Sequence, residues 1–176
     1  MKYNSVEHAY QRAKIVERSL ESLSDEQVAI INKKLASRGV KIGRDEVLQF
    51  FSDQDMAAGT SKIVGNQLRI LGFVRDDWDH VKLPIMTALL IQKFSYPHLY
   101  SMLSDTGDQD LVEGNDWGDT FWGVVENRGR NVLGRLLMIL RSNSFAEVRE
   151  MKKVVDQLGI PNYDTTKLVD PVARED

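Results

Sequence analysis

With 176 residues, 42% of them hydrophobic and 28% charged, the chain is long enough to close a core without staples and has the composition of a folded domain. Its net charge of −3 argues against a protein whose main task is gripping nucleic-acid backbone, and the absence of cysteine excludes disulfides and thiolate chemistry. No apolar run approaches the ~20 residues of a membrane helix, and the opening MKYNSVEHAY has no apolar signal core. These features point to a cytoplasmic domain with no membrane partner.

The elements expected in chain order are mostly helical. Residues 4–23 read as a first helix, with Asn4-x-x-Glu7 as a capping box and Val6, Ala9, Tyr10, Ala13 and Val16 at helical spacing. Glu7, Tyr10, Gln11 and Lys14 fall on or near one stripe, which puts a carboxylate and an ammonium two turns apart on the same side. Ser24-x-x-Gln27 opens a second helix that Gly39 stops, and a short third helix covers Arg44–Phe51. Between residues 52 and 75, Ala57–Thr60 reads as a helix end, Gly65 and Gly72 as breaks, and Leu68–Val74 as extended.

Asp76 and Asp77 begin an acidic first turn leading into Trp78, and Pro84 either kinks this helix or starts the next. Ile85, Met86, Ala88, Leu89 and Phe94 make a core-facing stripe with Lys93 beside it. Pro97 starts a short helix through Leu103, and Asp110–Glu113 reads as a strand edge. Val132–Leu140 is a strongly apolar helix. Ser144-x-x-Glu147 caps another, carrying Val148, Met151, Val155 and Leu158 and stopped by Gly159 and Pro161. Tyr163–Asp176 lacks a periodic core and reads as a loose tail.

The stretch Leu111–Arg141 stands out chemically. It combines Trp117 and Trp122 with three carboxylates (Glu113, Asp116, Asp119) in a glycine-punctuated loop. Large rings in such a loop either plug a core or offer a flat face to a ligand. Arg128-Gly129-Arg130-Asn131 then enters a helix, whose unpaired first N–H groups form an anion site. Gly134 inside that helix signals close packing or a ligand against the backbone. Together these features suggest a pocket for a sugar phosphate or nucleotide.

Familiar signatures are missing. His8, His80 and His98 keep no metal-ligand spacing, so no metal is expected. Gly59-Thr60-Ser61-Lys62 lacks the phosphate-loop spacing, and there is no Gly-x-Ser-x-Gly nucleophile elbow. Read alone, Glu7 and Lys14 are a weak surface ion pair worth under ~1 kcal/mol, and Trp78 is a core plug beside a snorkelling Lys93.

Taken together, the motifs go further. Ser5-Val6-Glu7-His8-Ala9-Tyr10-Gln11-Arg12-Ala13-Lys14 resembles the SxEHxxQxxK helix of the NADAR (YbiA-like) superfamily. The likeness continues at Asp77–Lys82, Met86 and Ala88–Phe94, then at Leu103-x-x-Thr106-Gly107 and Leu111-Val112-Glu113. It closes with Asp119-x-x-Trp122-Gly123 and Gly129–Arg141. Motifs in this order cover most of residues 4–141.

The resemblance implies an α+β, mainly α-helical, YbiA-like single domain with a few short strands. It places that domain at residues 1–141, with 24–75 expanded, an added C-terminal helix over 142–163 and a flexible tail over 164–176. It also implies a short member lacking the usual amino-terminal segment, of a size that suits a phage-encoded protein acting in the host cytoplasm.

The implied activity is N-glycosidase chemistry, cleaving a ribose–base or ribose–amine bond in a riboflavin-pathway intermediate or in ADP-ribosyl-guanine of nucleic acid. The partner is then a nucleotide-sugar or ADP-ribosylated nucleic-acid substrate, and no cofactor is implied. Carried over by position, Glu7, Lys14, Glu113 and Asp119 are the candidate catalytic residues. Trp122, Gly129, Arg130, Asn131 and Gly134 are the candidate substrate-binding residues. Glu113 or Asp119 would stabilise charge at the sugar carbon, with Glu7 as the second carboxylate. Lys14 would protonate the leaving base, orient a carboxylate or neutralise phosphate. Two rivals remain: a module that binds ADP-ribose or a nucleotide without cleaving it, and an interaction protein that uses the Ser144–Leu158 helix as a docking surface.

Overall fold

The computed structural model describes residues 2–3, 5–51, 56–157 and 162–163, and these are mainly helical. The α-helices are α1 (Val6–Ala13), α2 (Asp25–Leu35), α3 (Val47–Phe50), α4 (Ala58–Ile70), α5 (Trp78–Phe94), α6 (Pro97–Ser104), α7 (Val132–Ser142) and α8 (Phe145–Gln157). Extended structure among the described residues is slight. Two-residue strands β1 (Lys2–Tyr3) and β2 (Asn162–Tyr163) pair in parallel, and a few isolated bridges occur elsewhere. The chain separates into two compact units, Met1–Leu89 with Ile160–Asp176, and Leu90–Gly159. The boundary falls within α5.

In the first unit, α1 packs on α4 and α4 on α2. The expected helix over 4–23 is shorter and split. Ser5, not Asn4, is the cap: its extended backbone turns the chain in, and its Oγ accepts the His8 N–H at 3.2 Å. Asn4 itself lies outside the described residues. The helix ends at Lys14 because Ile15 leaves it to bridge Val74, while the Arg75 N–H donates to the Lys14 carbonyl at 2.9 Å. Arg12 secures the exit by donating from Nη1 to the Ile15 carbonyl, and Glu17–Ser22 re-forms as a tighter 3-10 turn.

The second helix begins as expected, with a reciprocal Ser24–Gln27 capping box. After the 3-10 turn Ala36–Arg38 it stops at Gly39, whose φ of 65° is the left-handed conformation glycine tolerates. Val28, Ile31 and Leu35 of α2 and Val64 and Leu68 of α4 are buried core.

Residues 57–70 correct the sequence reading. Ala57–Thr60 is a helix start rather than an end, Leu68–Ile70 is helical rather than extended, and Gly65 lies inside α4 without breaking it. A buried face on α2 and α1 outweighs the roughly 1 kcal/mol that an internal glycine costs a helix. Helix α5 likewise runs through Pro84, which is exposed, so water is at hand for the carbonyl left without its donor.

In the second unit, α6 packs on α7, and the Tyr100 hydroxyl donates to the Asn143 carbonyl at the end of α7. Tyr100 also stacks near Phe145, and Val148 and Val155 of α8 are buried. The Ser144–Glu147 box caps α8 as expected. Asp110–Glu113 is not a strand: the chain there is irregular, with an isolated bridge between Gly114 and Val124. Tyr163, expected in a loose tail, pairs with Tyr3, whereas residues 158–161 and the expected tail over 164–176 lie outside the described residues. Among the described residues, no helix is long and apolar enough to cross a membrane.

Candidate functional site

The candidate residues fall into two clusters, one in each unit. The first is built on α1. Glu7 and Lys14 lie two turns apart, with Gln11 between them on the same stripe. Gln11 is buried, and its Nε2 donates to Glu7 Oε1 at 2.6 Å. Lys14, at the end of the helix, is only 7% exposed. Its Nζ lies 5.0 Å from the Tyr10 ring centroid and 5.6 Å from that of Trp78, and the two rings sit 4.9 Å apart at a tilt. A cation held over two ring faces gains from both quadrupoles, most where water is excluded.

Trp78 is therefore more than the core plug read from sequence. It is half-buried and forms one wall around the lysine. Composition alone hid this, because Trp78 stands 64 residues from Lys14 and is brought alongside by the Ile15–Val74 bridge and the Arg75 N–H bond to the Lys14 carbonyl. His8 backs the same helix from inside, fully buried with Nδ1 2.6 Å from Ser5 Oγ.

The second cluster is the loop 111–131 and the start of α7. Asn115, passed over in the sequence reading, is its clamp. Its Oδ1 accepts the Asp119 N–H and its Nδ2 donates to the Asp119 carbonyl, both at 2.9 Å. Asp119 Oδ1 in turn accepts the N–H groups of Phe121 and Trp122, at 3.1 and 2.8 Å. This carboxylate shapes the turn that presents Trp122. Phe121 and Trp122 meet edge to face at 4.9 Å, and the exposed Arg130 guanidinium stacks 4.9 Å over the Phe121 ring.

Glu113 is half-buried, and among the described residues its carboxylate makes no hydrogen bond or ion pair. Its backbone is held tightly: the N–H donates to Asn131 Oδ1 at 3.0 Å and the carbonyl accepts from the Val124 N–H at 2.8 Å. Asn131, left-handed at φ 48°, uses its Nδ2 on the Leu111 carbonyl at 2.8 Å. Both ends of its amide are thus spent on stapling residues 111–113 to α7.

Most of the donors expected to form an open anion site at the start of α7 are engaged. Arg130, Asn131, Val132 and Leu133 donate their N–H groups to the carbonyls of Thr120, Gly123, Phe121 and Trp122 respectively. The turn fills the helix end that a free anion would use. The glycines serve the same close packing. A Cβ on Gly134 would lie 2.0 Å from the Leu111 carbonyl oxygen, and one on Gly129 would lie 2.2 Å from that of Gly123.

Two further features lie apart from these residues. A cavity of about 440 Å³ in the first unit is lined by Val40, Lys41, Ile42, Glu46, Gln49, Phe50 and Met56, and contains none of the candidates. Lys93 sits half-buried 5.2 Å over the Phe94 ring, and burial holds its pKa below the usual lysine range. No three His, Asp or Glu side chains among the described residues are grouped to hold a metal ion.

The α1 cluster offers a held carboxylate and a ring-flanked lysine, and the loop separately offers an aromatic pair and an unengaged glutamate. Comparison with known proteins shows the family. Residues 1–143 match the NADAR domain, and the chain belongs to that family. Over 76 residues it is 51% identical to the chloroplastic riboflavin biosynthesis protein PYRR of Arabidopsis thaliana, an alignment covering 42% of this chain and 12% of the plant protein. Over 70 residues it is 43% identical to an N-glycosidase of Nostoc punctiforme, covering 39% of this chain and 44% of that protein. A riboflavin biosynthesis protein of Vibrio vulnificus is 37% identical over 70 residues, 18% of its length. The chain thus spans less than half the length of these relatives. No solved structure matches it.

Proposed function

We propose that this protein is an N-glycosidase that hydrolyses a ribose N-glycosidic bond in an ADP-ribosylated or ribosyl-phosphate substrate. The observation that carries the proposal is the α1 cluster, in which Glu7 is held by a buried amide and Lys14 is buried against two aromatic rings. Membership of the NADAR family and the likeness to an N-glycosidase support the same reading.

In this mechanism the C1–N bond lengthens and positive charge grows on C1 and the ring oxygen. A carboxylate facing that charge stabilises it, and water completes the attack, giving its proton to a carboxylate. Glu113 is the better bearer of the charge-stabilising role, because its carboxylate is unengaged while one oxygen of Asp119 is already bonded to two N–H groups. Asp119 then acts by holding Trp122, whose ring stacks on the base or sugar face. Of the α1 groups, Glu7 is the carboxylate that takes the proton from water, and Lys14 delivers the proton that the leaving nitrogen takes up. With the Asn131, Val132 and Leu133 N–H groups engaged, the exposed Arg130 guanidinium is the group that meets phosphate.

The test uses the full chain with two probes: an oligonucleotide carrying ADP-ribosyl-guanine, and a ribosylamine phosphate of the riboflavin pathway. Release of base or amine from one of them is expected, with Glu113→Gln losing about 10²–10³ in rate. Full activity in both Glu113→Gln and Asp119→Asn overturns the assignment. Calorimetric binding of ADP-ribose without release from either probe turns the reading to a binding module.

A further inference from the structure

We infer that Gln11, seated in a notch that Gly65 leaves in α4, is the positioning residue that orients Glu7; the inference rests on the role proposed for Glu7 above. Gln11 is 2% exposed, and its amide makes one hydrogen bond among the described residues, from Nε2 to Glu7 Oε1 at 2.6 Å. The amide has one chemically sensible orientation, since turning it over would set its carbonyl oxygen against a carboxylate oxygen.

The other side of the amide lies directly on α4. A Cβ on Gly65 would fall 2.1 Å from Gln11 Oε1, 2.9 Å from its Cδ and 3.3 Å from its Cβ. No side chain larger than hydrogen leaves room for the amide where it is. Gly65 is buried in the middle of a thirteen-residue helix, where alanine would favour the helix itself. Gln11 Oε1 gains no hydrogen bond there, although a buried carbonyl ordinarily has one. Helix propensity accounts for neither the glycine nor the buried oxygen without a hydrogen bond. Both are explained if the amide must stand at one height on α1, four residues after Glu7, to hold one carboxylate oxygen and leave the other for the substrate. An unheld glutamate on a helix surface samples several rotamers, and fixing one of them is what positioning contributes to rate.

The test compares variants of the full chain on the same two probes, the ADP-ribosyl-guanine oligonucleotide and the ribosylamine phosphate. Gln11→Met keeps length and removes the donor. It is expected to lower kcat about 10–100-fold with KM within about twofold and the melting temperature nearly unchanged. Gly65→Ala is expected to reproduce the kcat loss in the wild-type background and to add nothing in a Gln11→Ala background, where the obstructed amide is gone. Wild-type kcat in Gln11→Met, in a protein that Glu7→Gln inactivates, overturns the inference. So does an equal Gly65→Ala penalty in both backgrounds. If the wild type releases product from neither probe, the proposed function fails on its own. Orientation is then read from crystal structures of the wild type and Gln11→Met: one Glu7 rotamer in the first and several in the second upholds it, and equal order in both overturns it.

Discussion

The two clusters are made in opposite ways. On α1, side chains hold side chains: Gln11 grips Glu7, and Tyr10 and Trp78 flank Lys14, on a backbone that is plain helix. In the loop 111–131, side chains hold backbone. Asn115, Asp119 and Asn131 spend their polar atoms on N–H and carbonyl groups, and glycines let strands of chain pass at distances that no Cβ survives. The difference teaches where damage should appear. Changing the first cluster should remove chemistry and leave the fold, while changing the second should loosen the fold and take chemistry with it.

The sharpest way to break that contrast is Glu7→Gln. Removing the carboxylate while keeping size and hydrogen-bonding reach should lower kcat/KM on the cleaved probe by about 10²–10⁴. Thermal melts should hardly move, since Glu7 is only half-buried. A variant that unfolds, or one that keeps its rate, would erase the distinction drawn for α1.

Gly129→Ala is the opposite experiment. Its φ of 151° lies where L side chains are rare, and the added methyl meets the Gly123 carbonyl oxygen at 2.2 Å. The expected cost is about 3 kcal/mol, read as a lower urea midpoint. Asn131→Ala should follow at about 1–3 kcal/mol, because the Leu111 carbonyl and the Glu113 N–H both lose their partner. Should either variant melt like the wild type, the loop is not held by the bonds described.

The smallest effect comes from comparing the two lysines that lie over rings. Lys93 is half-buried beside Phe94, with its pKa pushed down by desolvation. Between the folded value and the ordinary lysine value the unfolded chain binds more protons, so stability rises with pH across that window. Below it the buried ammonium is a standing cost. Lys93→Met should therefore raise the melting temperature by about 1–3 °C near neutral pH, with the gain fading as pH climbs toward the ordinary lysine value. A gain independent of pH would mean that packing, not charge, is what changed.

The helix boundaries set by local signals are legible in the sequence. Ser24 with Gln27, Ser144 with Glu147 and the stop at Gly39 each act within about four residues, so the bonds that start and end these helices are written in adjacent letters. The order of the motifs carries the family, whereas Glu7 and Lys14 as single residues read as a surface ion pair. The wall at Trp78 and the notch at Gly65 are not legible in the sequence, because they arise from contacts made across it.

By itself, then, the sequence determined the helical class, most of the caps and the membership that residues 1–143 declare. Tertiary structure alone decided that the first helix ends at Lys14, that α4 carries a glycine without breaking, and that the Asn131, Val132 and Leu133 N–H groups at the start of α7 go to the preceding turn. The reason is the same in all three. A backbone donor or a buried face is committed by whichever partner arrives, and here the partners are Val74 for Ile15, Gln11 for Gly65 and the Thr120–Gly123 carbonyls for the first N–H groups at α7.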